Sequence, residues 1–367
     1  MKKTNIYLQK PWRFSEDSQY YKSLFDSPPK GAIYSSSAQK PLLQKGKSVF
    51  FLDSVKKIIR GIVRFIFPSL PNAHYDSEGE KYDLIHCMRC LSKNKKPWIC
   101  DVEYASGLWV AMEKGQLSRR AVLKYLQSPY CKKILPWTRW CAEELRRLFP
   151  EVKDKIEIIY PPVGLKNFKK IKTGKTVLLY ASRRFYFKGG LYALEVMDRI
   201  TRKDKKIEGW IVSDVPKEVY EKYKKNSQIK FLGTLPQKEL FERVYPSSDI
   251  FLYPSFTDTF GYVILEAMSF GLPVVSVGGQ SREEIISQGK TGAVIKNPFE
   301  NELNLKYLKL LEENVVGGLV REVQKILDSS NLRRKLSANC IAEVKKGKFS
   351  VSERNKKLNK IIRESIQ

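Results

Sequence analysis

In the first half of the chain, short apolar runs alternate with segments whose apolar residues recur at helical spacing. This alternation is typical of parallel βαβ units, in which each strand is followed by a helix that packs on the sheet. Strands are predicted for residues 4–8, 31–35, 82–86, 97–102 and 155–160. Helices are predicted for residues 117–128 and 138–149. The first half therefore predicts one Rossmann-like domain.

A new alternation begins after Pro161-Pro162, where two successive prolines stiffen the chain and exclude helix. Its apolar runs are continuous, as in strands that are buried on both faces of a doubly wound parallel sheet. Strands are predicted for residues 176–181, 209–212, 229–232, 249–253, 273–276 and 293–295. A helix is predicted for residues 189–202. The second half predicts another Rossmann-like domain.

The length of the chain agrees with this division. A chain of 367 residues exceeds one ordinary domain and suits two α/β domains of about 150–200 residues each. The predicted domains are residues 1–162 and 163–345, and an amphipathic helix is predicted within residues 346–367.

The charge of the chain is unusual. Lys and Arg number 67 against 39 Asp and Glu, which gives a net charge of +28. Such a charge attracts anionic partners, and nucleic acid, an anionic membrane surface and phosphorylated substrates are the candidates. A merely solvated basic surface is the alternative, and charge alone does not decide among them.

Residues 48–67 have the pattern of a basic amphipathic helix, which is able to lie in a membrane interface or to dock on the core of its own domain. Its apolar residues recur at helical spacing and are Phe51, Val55, Ile58, Ile59, Ile62, Phe65 and Ile66. Since the sequence has neither an apolar signal core near Met1 nor an apolar run long enough to span a bilayer, we expect a cytoplasmic or peripheral membrane protein.

The cysteines raise the question of a metal or redox site. Cys87 and Cys90 form a Cys-x-x-Cys pair, but the sequence has no second such pair, and its only histidines are His74 and His86. A structural zinc site needs four ligands. We therefore expect packing thiols and no metal, with a metal-binding or redox pair as the alternative.

Residues 253–268 are the most informative stretch, because a predicted strand ends there in a loop and a helix begins near Gly261. In an open α/β sheet, ligands bind outside the carboxyl ends of the strands. A helix start offers backbone N–H groups that hold phosphate. Asp258 and Glu266, before and within the helix, are carboxylates that accept hydrogen bonds from hydroxyls.

Residues 182–190 follow the first strand of the same domain and supply positive charge at the same edge of the sheet. Arg183 offers a bidentate fork and Lys188 a mobile point charge, which together suit a diphosphate. Cations, helix N–H groups and hydroxyl-binding carboxylates are complementary to the parts of a nucleotide-diphospho-sugar.

The second half resembles the retaining glycosyltransferase family four, also called glycosyl transferases group 1. Its pattern of an acidic residue, seven residues and a Glu around Phe-Gly matches Asp258, Phe260-Gly261 and Glu266, although the family more often has Glu at the first position. Its Arg and Lys, five residues apart, match Arg183 and Lys188. Further similarity lies at residues 231–233, 267–268, 271–275 and 278–284.

The resemblance implies a role for each matching residue. Arg183 and Lys188 would bind the diphosphate and offset the charge of the leaving group, Glu266 would hold the ribose hydroxyls, and Asp258 would contact the donor sugar. The nucleobase would lie near two residues after a strand, Gly233 and Leu235. Backbone N–H groups would bind sugar or phosphate at Thr259, Phe260, Gly261 and Tyr262.

The family also implies a fold and a chemistry. The fold is GT-B, with two Rossmann-like doubly wound domains that face each other across a cleft and a C-terminal helix that crosses back to the N-terminal domain. Transfer retains the anomeric configuration by same-face attack, and no metal or other cofactor is required. The expected donors are UDP- and GDP-sugars.

The resemblance is weaker in the first half. Family members often carry a His at a strand end that faces the donor, but the strand predicted at 97–102 leads instead to Asp101 and Glu103. Either carboxylate is a candidate for the acceptor-side base, and helix capping or surface charge is the alternative. We interpret His86, at the end of the preceding strand, as a structural residue.

The sequence features suggest three candidate functions. The leading hypothesis is a hexosyltransferase that acts at a membrane on a lipid-linked or glycolipid acceptor. The second is a soluble glycosyltransferase that acts on a small molecule, a polysaccharide or a protein. The third is a basic nucleic-acid-binding protein, which we do not expect because the sequence has no recognisable base-stacking or groove-reading module.

Overall fold

A computed structural model of the chain describes residues 3–10, 19–36, 70–110, 115–165, 167–299 and 310–367. The helix predicted for residues 48–67 lies outside the described residues. The chain divides into two compact units, of which the first comprises Met1–Pro162 with Val351–Gln367 and the second comprises Val163–Ser350.

The first unit contains a parallel sheet with the strand order β2-β1-β4-β6-β7, and β3 pairs with β5 in a separate two-stranded sheet. Because strand β1 lies between β2 and β4, the direction of winding reverses between β1 and β4, as in other doubly wound folds. The strands are β1 Thr4–Gln9, β2 Ala32–Ser35, β3 Ala73–His74, β4 Leu84–Cys87, β5 Leu91–Ser92, β6 Trp98–Val102 and β7 Cys131–Pro136. Among the described residues before the second unit, the α-helices are α1 Gln19–Asp26, α2 Gly115–Leu126 and α3 Arg139–Leu148.

The strand predicted for residues 155–160 is wrong. Residues up to Lys155 form 3₁₀ turns, and beyond them a single bridge joins Ile156 to Ile134 of β7. The backbone N–H groups of Glu157 and Ile159 still donate to β7, to Ile134 and Pro136, at 3.0 Å each. The segment therefore runs beside the sheet, but the prolines at 161 and 162 end it before a strand is established.

The second unit contains a parallel sheet of six strands with the order β10-β9-β8-β11-β12-β13. The strands are β8 Thr176–Ala181, β9 Ile207–Val212, β10 Ile229–Phe231, β11 Ile250–Tyr253, β12 Val274–Val277 and β13 Gly292–Ile295. The helices are α4 Gly190–Lys203, α5 Lys217–Tyr223, α6 Gln237–Glu239, α7 Tyr245–Ser247, α8 Tyr262–Ser269, α9 Arg282–Ile285, α10 Glu313–Asp328 and α11 Ser330–Lys346, with a π-helical turn at Leu240–Val244.

This strand order is the 3-2-1-4-5-6 order of a dinucleotide-binding sheet, and it reverses between β8 and β11. Strands β8, β11 and β12 are almost entirely buried, which agrees with their continuous apolar sequences. The loops after β8 and β11 therefore meet at the position where ligands bind in folds of this kind.

The last helix, α12 Val351–Ile366, groups with the first unit. It begins at Val351, because Gly347 ends the preceding helix and the Ser350 N–H closes a turn on the Gly347 carbonyl. Its Arg354 is buried and donates to Ser23 Oγ at 3.0 Å and to the carbonyl of Ser27 at 3.0 Å, next to α1. In the described ranges, no helix combines the length and apolar character needed to cross a bilayer.

Candidate active site

The loops after β8 and β11 touch at Gly189. This glycine has φ +75°, and a Cβ placed on it would lie 1.9 Å from the carbonyl oxygen of Pro254. A residue with a side chain has no room there, so the local sequence Gly189-Gly190 permits the close approach of the two loops. We call residues 254–261 the donor loop. It ends at Gly261, which has φ +75° and precedes helix α8.

A cavity of about 660 Å³ opens beside these loops at the carboxyl edge of the second sheet. Arg183, Lys188 and Glu266, which the sequence assigned to one ligand, all line this cavity. The remaining lining residues are Ala181, Ser182, Arg184, Val212, Thr234, Leu235, Gln237, Leu240, Tyr245, Tyr253, Tyr262 and Val263. The cavity is thus lined by cations, a carboxylate, and several aliphatic and aromatic side chains.

The other predicted donor-site residues divide into two groups. Leu235 and Tyr262 line the cavity. The residues that do not line it are Gly233, Asp258, Thr259, Phe260 and Gly261. Phe260 is only 2% exposed, and Gly233 has φ +66° with open space on the side where a Cβ would lie. The donor loop therefore adjoins the cavity, and most of its side chains lie outside the lining.

Asp258 is connected to the cavity through Lys188. The Lys188 ammonium lies 2.9 Å from Asp258 Oδ2 and donates to the Thr257 carbonyl at 2.7 Å. The hydroxyl of Tyr253 donates to the same carboxylate oxygen at 2.6 Å. Burial of Tyr253, with Asp258 acting in the same direction, raises the pKa of its phenol, which stays protonated and able to donate.

The pKa of the Lys188 ammonium depends on its burial and on the charges around it. Burial lowers the pKa of its ammonium, and the positive charges of Arg282 and Arg184 act in the same direction, while Asp258 opposes them. An anionic ligand in the cavity would add negative charge beside the ammonium and raise this pKa again. Binding of a diphosphate is therefore coupled to the proton on Lys188.

This coupling predicts a pH dependence. The charged form of Lys188 attracts phosphate, and its pKa is lowered, so nucleoside diphosphate affinity is expected to fall at an alkaline pH below the ordinary titration range of lysine. Titration calorimetry from about pH 7 to about pH 10 measures the effect. In Lys188→Arg, whose guanidinium stays charged, the loss of nucleoside diphosphate affinity at alkaline pH should be much smaller. Equal losses in both proteins would contradict the assignment.

Glu266 is held from two sides. Its Oε1 accepts from Gln237 Nε2 at 2.9 Å, and its Oε2 lies 3.4 Å from the hydroxyl of Tyr245. Tyr245 is fully buried, and burial raises the pKa of its phenol, with Glu266 acting in the same direction. These contacts fix the carboxylate in the wall of the cavity, where it is able to accept hydrogen bonds from hydroxyl groups.

The sequence did not indicate several residues of the site. Gln237 and Tyr245 belong to the helical segment after β10 and are far from Glu266 along the chain. Arg184 lines the cavity beside Arg183 and was not singled out. For Arg184 the adjacent basic residues were the available signal, whereas nothing local identifies the two partners of Glu266.

The two carboxylates predicted in the first unit have different environments. Asp101 is completely buried; its Oδ1 accepts from Tyr20 at 3.2 Å and its Oδ2 lies 2.9 Å from His86 Nε2. An acceptor in solvent does not reach this carboxylate, so the role of acceptor-side base does not fit Asp101. Glu103 is partly exposed and pairs with Arg89 at 3.0 Å. His86 is also completely buried, with Nδ1 3.1 Å from the Tyr34 hydroxyl.

All six cysteines are buried thiols. Cys87 and Cys90 lie in the apolar core of the first unit together with Cys100 and Cys131. Burial raises the pKa of the Cys87 thiol, and Cys90 acts in the same direction. A buried thiol with a raised pKa is a poor nucleophile and a poor metal ligand, which favours the interpretation as packing residues.

The residues that line the cavity lie within a range that matches a known protein family. Residues 165–341 match the sequence profile of the family described as glycosyl transferases group 1, and this range contains every residue that lines the cavity. The second unit belongs to the glycosyl transferases group 1 family. The resemblance to glycosyl transferases group 1 found in the sequence is thereby confirmed.

Several curated proteins match parts of the chain. An uncharacterized glycosyltransferase of Methanocaldococcus jannaschii is 26% identical over 254 residues, which cover 60% of this chain and 64% of that protein. Matches to two further curated relatives cover 44% and 27% of their lengths. The chain thus matches less than two thirds of each of these relatives.

Solved structures match the chain at its full length. The crystal structure of a glycosyltransferase from Rickettsia africae has a TM-score of 0.64 at 16% identity and covers 100% of this chain and 99% of that one. The crystal structure of Anabaena HepE in complex with UDP-glucose has a TM-score of 0.61 at 12% identity and covers 98% and 99% of the two chains. At such identities the likeness concerns the fold, and the predicted GT-B α/β class is confirmed.

Proposed function

We propose that the chain is a retaining glycosyltransferase that moves a hexosyl unit from a nucleotide-diphospho-sugar to an acceptor. The observation that carries this proposal is the cavity in which Arg183, Lys188 and Glu266 lie together at the point where the strand order reverses. Membership of the second unit in group 1 and the UDP-glucose bound to Anabaena HepE support a nucleotide-sugar donor.

Each part of the donor has a proposed position. The diphosphate binds Arg183 and Lys188, and Arg184 adds a third cation to the cavity lining. The ribose hydroxyls donate to Glu266, which Gln237 and Tyr245 hold in place. The nucleobase lies near Gly233 and Leu235, of which Leu235 lines the cavity. UDP- and GDP-sugars are the donors we expect.

The transferred sugar is proposed to lie against the donor loop. Asp258 would contact its hydroxyls, and backbone N–H groups of Thr259, Phe260, Gly261 and Tyr262 would bind sugar or phosphate. In this structure the carboxylate of Asp258 pairs with Lys188. A diphosphate that attracts Lys188 would compete for this ion pair, so donor binding would make the carboxylate available to the sugar.

The proposed chemistry needs few groups from the protein. The bond between the anomeric carbon and the diphosphate oxygen breaks, its electron pair stays on the diphosphate, and the acceptor oxygen attacks the same face. The proton of the acceptor hydroxyl passes to a base, for which Glu103 remains the candidate. Because a clamped diphosphate is a good leaving group, rate acceleration comes from charge stabilisation at Arg183 and Lys188 and from positioning.

For the acceptor we propose a lipid-linked glycan or glycolipid, bound by the first unit at an anionic membrane surface. The net charge of +28 and the basic amphipathic pattern of residues 48–67 support this part. A soluble acceptor, such as a small molecule, a polysaccharide or a protein, is the second candidate. Flotation with vesicles of anionic or zwitterionic lipid separates the two, because only the membrane proposal requires anionic vesicles to carry the protein upward.

The transfer reaction itself is tested with a panel of UDP-, GDP- and ADP-sugars against lipid-linked and soluble acceptors. We expect one class of donor to yield a glycosylated product whose anomeric configuration, read by NMR, equals that of the donor. A product of inverted configuration would contradict retention. The absence of both transfer and donor hydrolysis across the panel would contradict the proposed function as a whole.

A further inference from the structure

Arg282 is a completely buried arginine beside the donor loop. It is the first residue of the short helix α9, which follows strand β12, and it is 0% exposed. Burial of a guanidinium is costly unless each of its donors has a partner. A buried cation at this point therefore requires an explanation from its surroundings.

Arg282 donates to two different loops. Nη1 donates to the Asp258 carbonyl at 2.7 Å, and Nη2 donates to the Phe256 carbonyl at 3.1 Å, so two contacts go to the donor loop. The others go to its own loop: Nε to the Val277 carbonyl at 3.2 Å, Nη2 to the Gly278 carbonyl at 3.3 Å and Nη1 to Gln280 Oε1 at 3.4 Å. A guanidinium has five donors, and five contacts to uncharged oxygen atoms match that number.

The two preceding residues bind the donor loop as well. Gln280 has φ +51°, which is uncommon for a residue with a side chain, and its Oε1 accepts from the Asp258 N–H at 2.6 Å. Ser281 Oγ donates to the Phe260 carbonyl at 3.0 Å. We call residues 280–282 the clamp segment. It binds both the N–H and the carbonyl of Asp258.

The clamp segment and Lys188 hold the donor loop from two sides. Lys188 contacts the Asp258 carboxylate and the Thr257 carbonyl, while the clamp segment contacts the backbone of Phe256, Asp258 and Phe260. The donor loop is thus held at residues 256–258 and at residue 260, just before helix α8. Its backbone geometry determines where Asp258 and the helix start lie relative to the cavity.

We propose that Arg282 is a positioning residue that holds the donor loop in the geometry needed for sugar transfer. This inference rests on the proposed function, and it adds a residue that contacts neither the nucleotide nor the sugar. Because Arg183, Lys188 and Glu266 bind the nucleoside diphosphate without Arg282, its loss should impair the positioning of the sugar and leave nucleotide binding largely intact. A misplacement of about 1 Å at a reacting centre costs about 100-fold in rate.

The test compares Arg282→Lys with Arg199→Lys. Lysine keeps the charge but has three donors on one atom, so it does not bridge the same set of carbonyl groups. Arg199 lies in the same unit and binds Glu195 and Glu313 through its guanidinium, and it is absent from the cavity lining. Turnover, UDP and GDP affinity, and thermal stability are measured for both variants below their melting temperatures.

In Arg282→Lys we expect turnover to fall about 100-fold, with nucleoside diphosphate affinity changed less than about threefold. Amide hydrogen exchange of the donor loop should accelerate by about 10-fold or more, since a clamped backbone opens less often. Arg199→Lys should match the wild type in turnover and loop exchange. Wild-type turnover in Arg282→Lys, or a parallel loss of turnover and nucleotide affinity, would overturn the inference.

A second variant covers the case in which Arg282→Lys does not fold. Gln280→Gly removes the acceptor of the Asp258 N–H and suits the positive φ, so it should fold and lose about 10-fold in turnover. Unchanged turnover in this variant would count against the clamp. If the wild-type chain transfers no sugar at all, the proposed function fails. In that case loop exchange alone tests the contacts of the clamp segment, and unchanged exchange in both variants would refute them.

Discussion

Replacement of Lys188 by alanine is expected to abolish sugar transfer, with turnover reduced about 10³-fold or more. The ammonium lies in the wall of the cavity and, in the proposed reaction, offsets the charge that develops on the departing diphosphate. Alanine also removes the ammonium group that pairs with the Asp258 carboxylate, while the Tyr253 hydroxyl still donates to this carboxylate. Initial rates with the active donor measure the loss.

Lys170→Ala is the matched control for this variant. Lys170 belongs to the same unit and pairs with Asp249 at 3.0 Å, but it does not line the cavity. The variant removes a partly exposed Lys–Asp ion pair outside the cavity, and such a pair contributes less than about 1 kcal/mol to the free energy of unfolding. We expect wild-type turnover in Lys170→Ala. Turnover in Lys188→Ala within a few fold of this control would contradict the assignment of the diphosphate site.

Gly189→Ala is expected to destabilise the protein by about 2–4 kcal/mol and to eliminate transfer. The new Cβ would lie 1.9 Å from the carbonyl oxygen of Pro254, so the loops after β8 and β11 would have to separate. Lys188 precedes this glycine and Asp258 lies on the opposite loop, so the same movement would break their ion pair. Chemical denaturation measures the stability, and initial rates measure the activity.

Gly174→Ala separates the two causes of this effect. Gly174 has a similar φ of +77°, but a Cβ at this position would have no neighbouring atom within 4 Å. Alanine there carries only the strain of the left-handed backbone, about 1–2 kcal/mol, and should leave transfer unchanged. A loss of stability in Gly189→Ala no larger than in Gly174→Ala would show that the close approach of the two loops does not constrain this position.

Local sequence patterns predicted most of the fold for a physical reason. Strands such as β8 and β11 are buried on both faces, and their continuous apolar runs stand out from the polar loops that follow them. Residues 155–160 are also rich in isoleucine and end in a tyrosine, but they form no strand, because pairing depends on how far the chain continues beside β7 before Pro161. Tertiary context, which the local pattern does not contain, decided that segment.

The candidate site was partly predictable from the sequence. Arg183, Lys188 and Glu266 follow strands whose carboxyl ends meet, so their assembly in one cavity follows from the order of elements. Arg282 was not predictable, since an arginine among Gly, Gln, Ser and Glu has the composition of a solvated helix start, yet it is completely buried. The burial of Asp101 was also not predictable. A position near the end of a strand does not show whether the side chain is exposed, and both faces of strand β6 are covered.

A crystal structure of the protein with the nucleoside diphosphate of its active donor would locate the donor site. We expect the diphosphate within hydrogen-bond distance of Arg183 and Lys188, with the ribose hydroxyls in contact with Glu266. A nucleotide bound away from this cavity, or one in the cavity whose phosphates avoid both cations, would show that the assigned donor site is wrong.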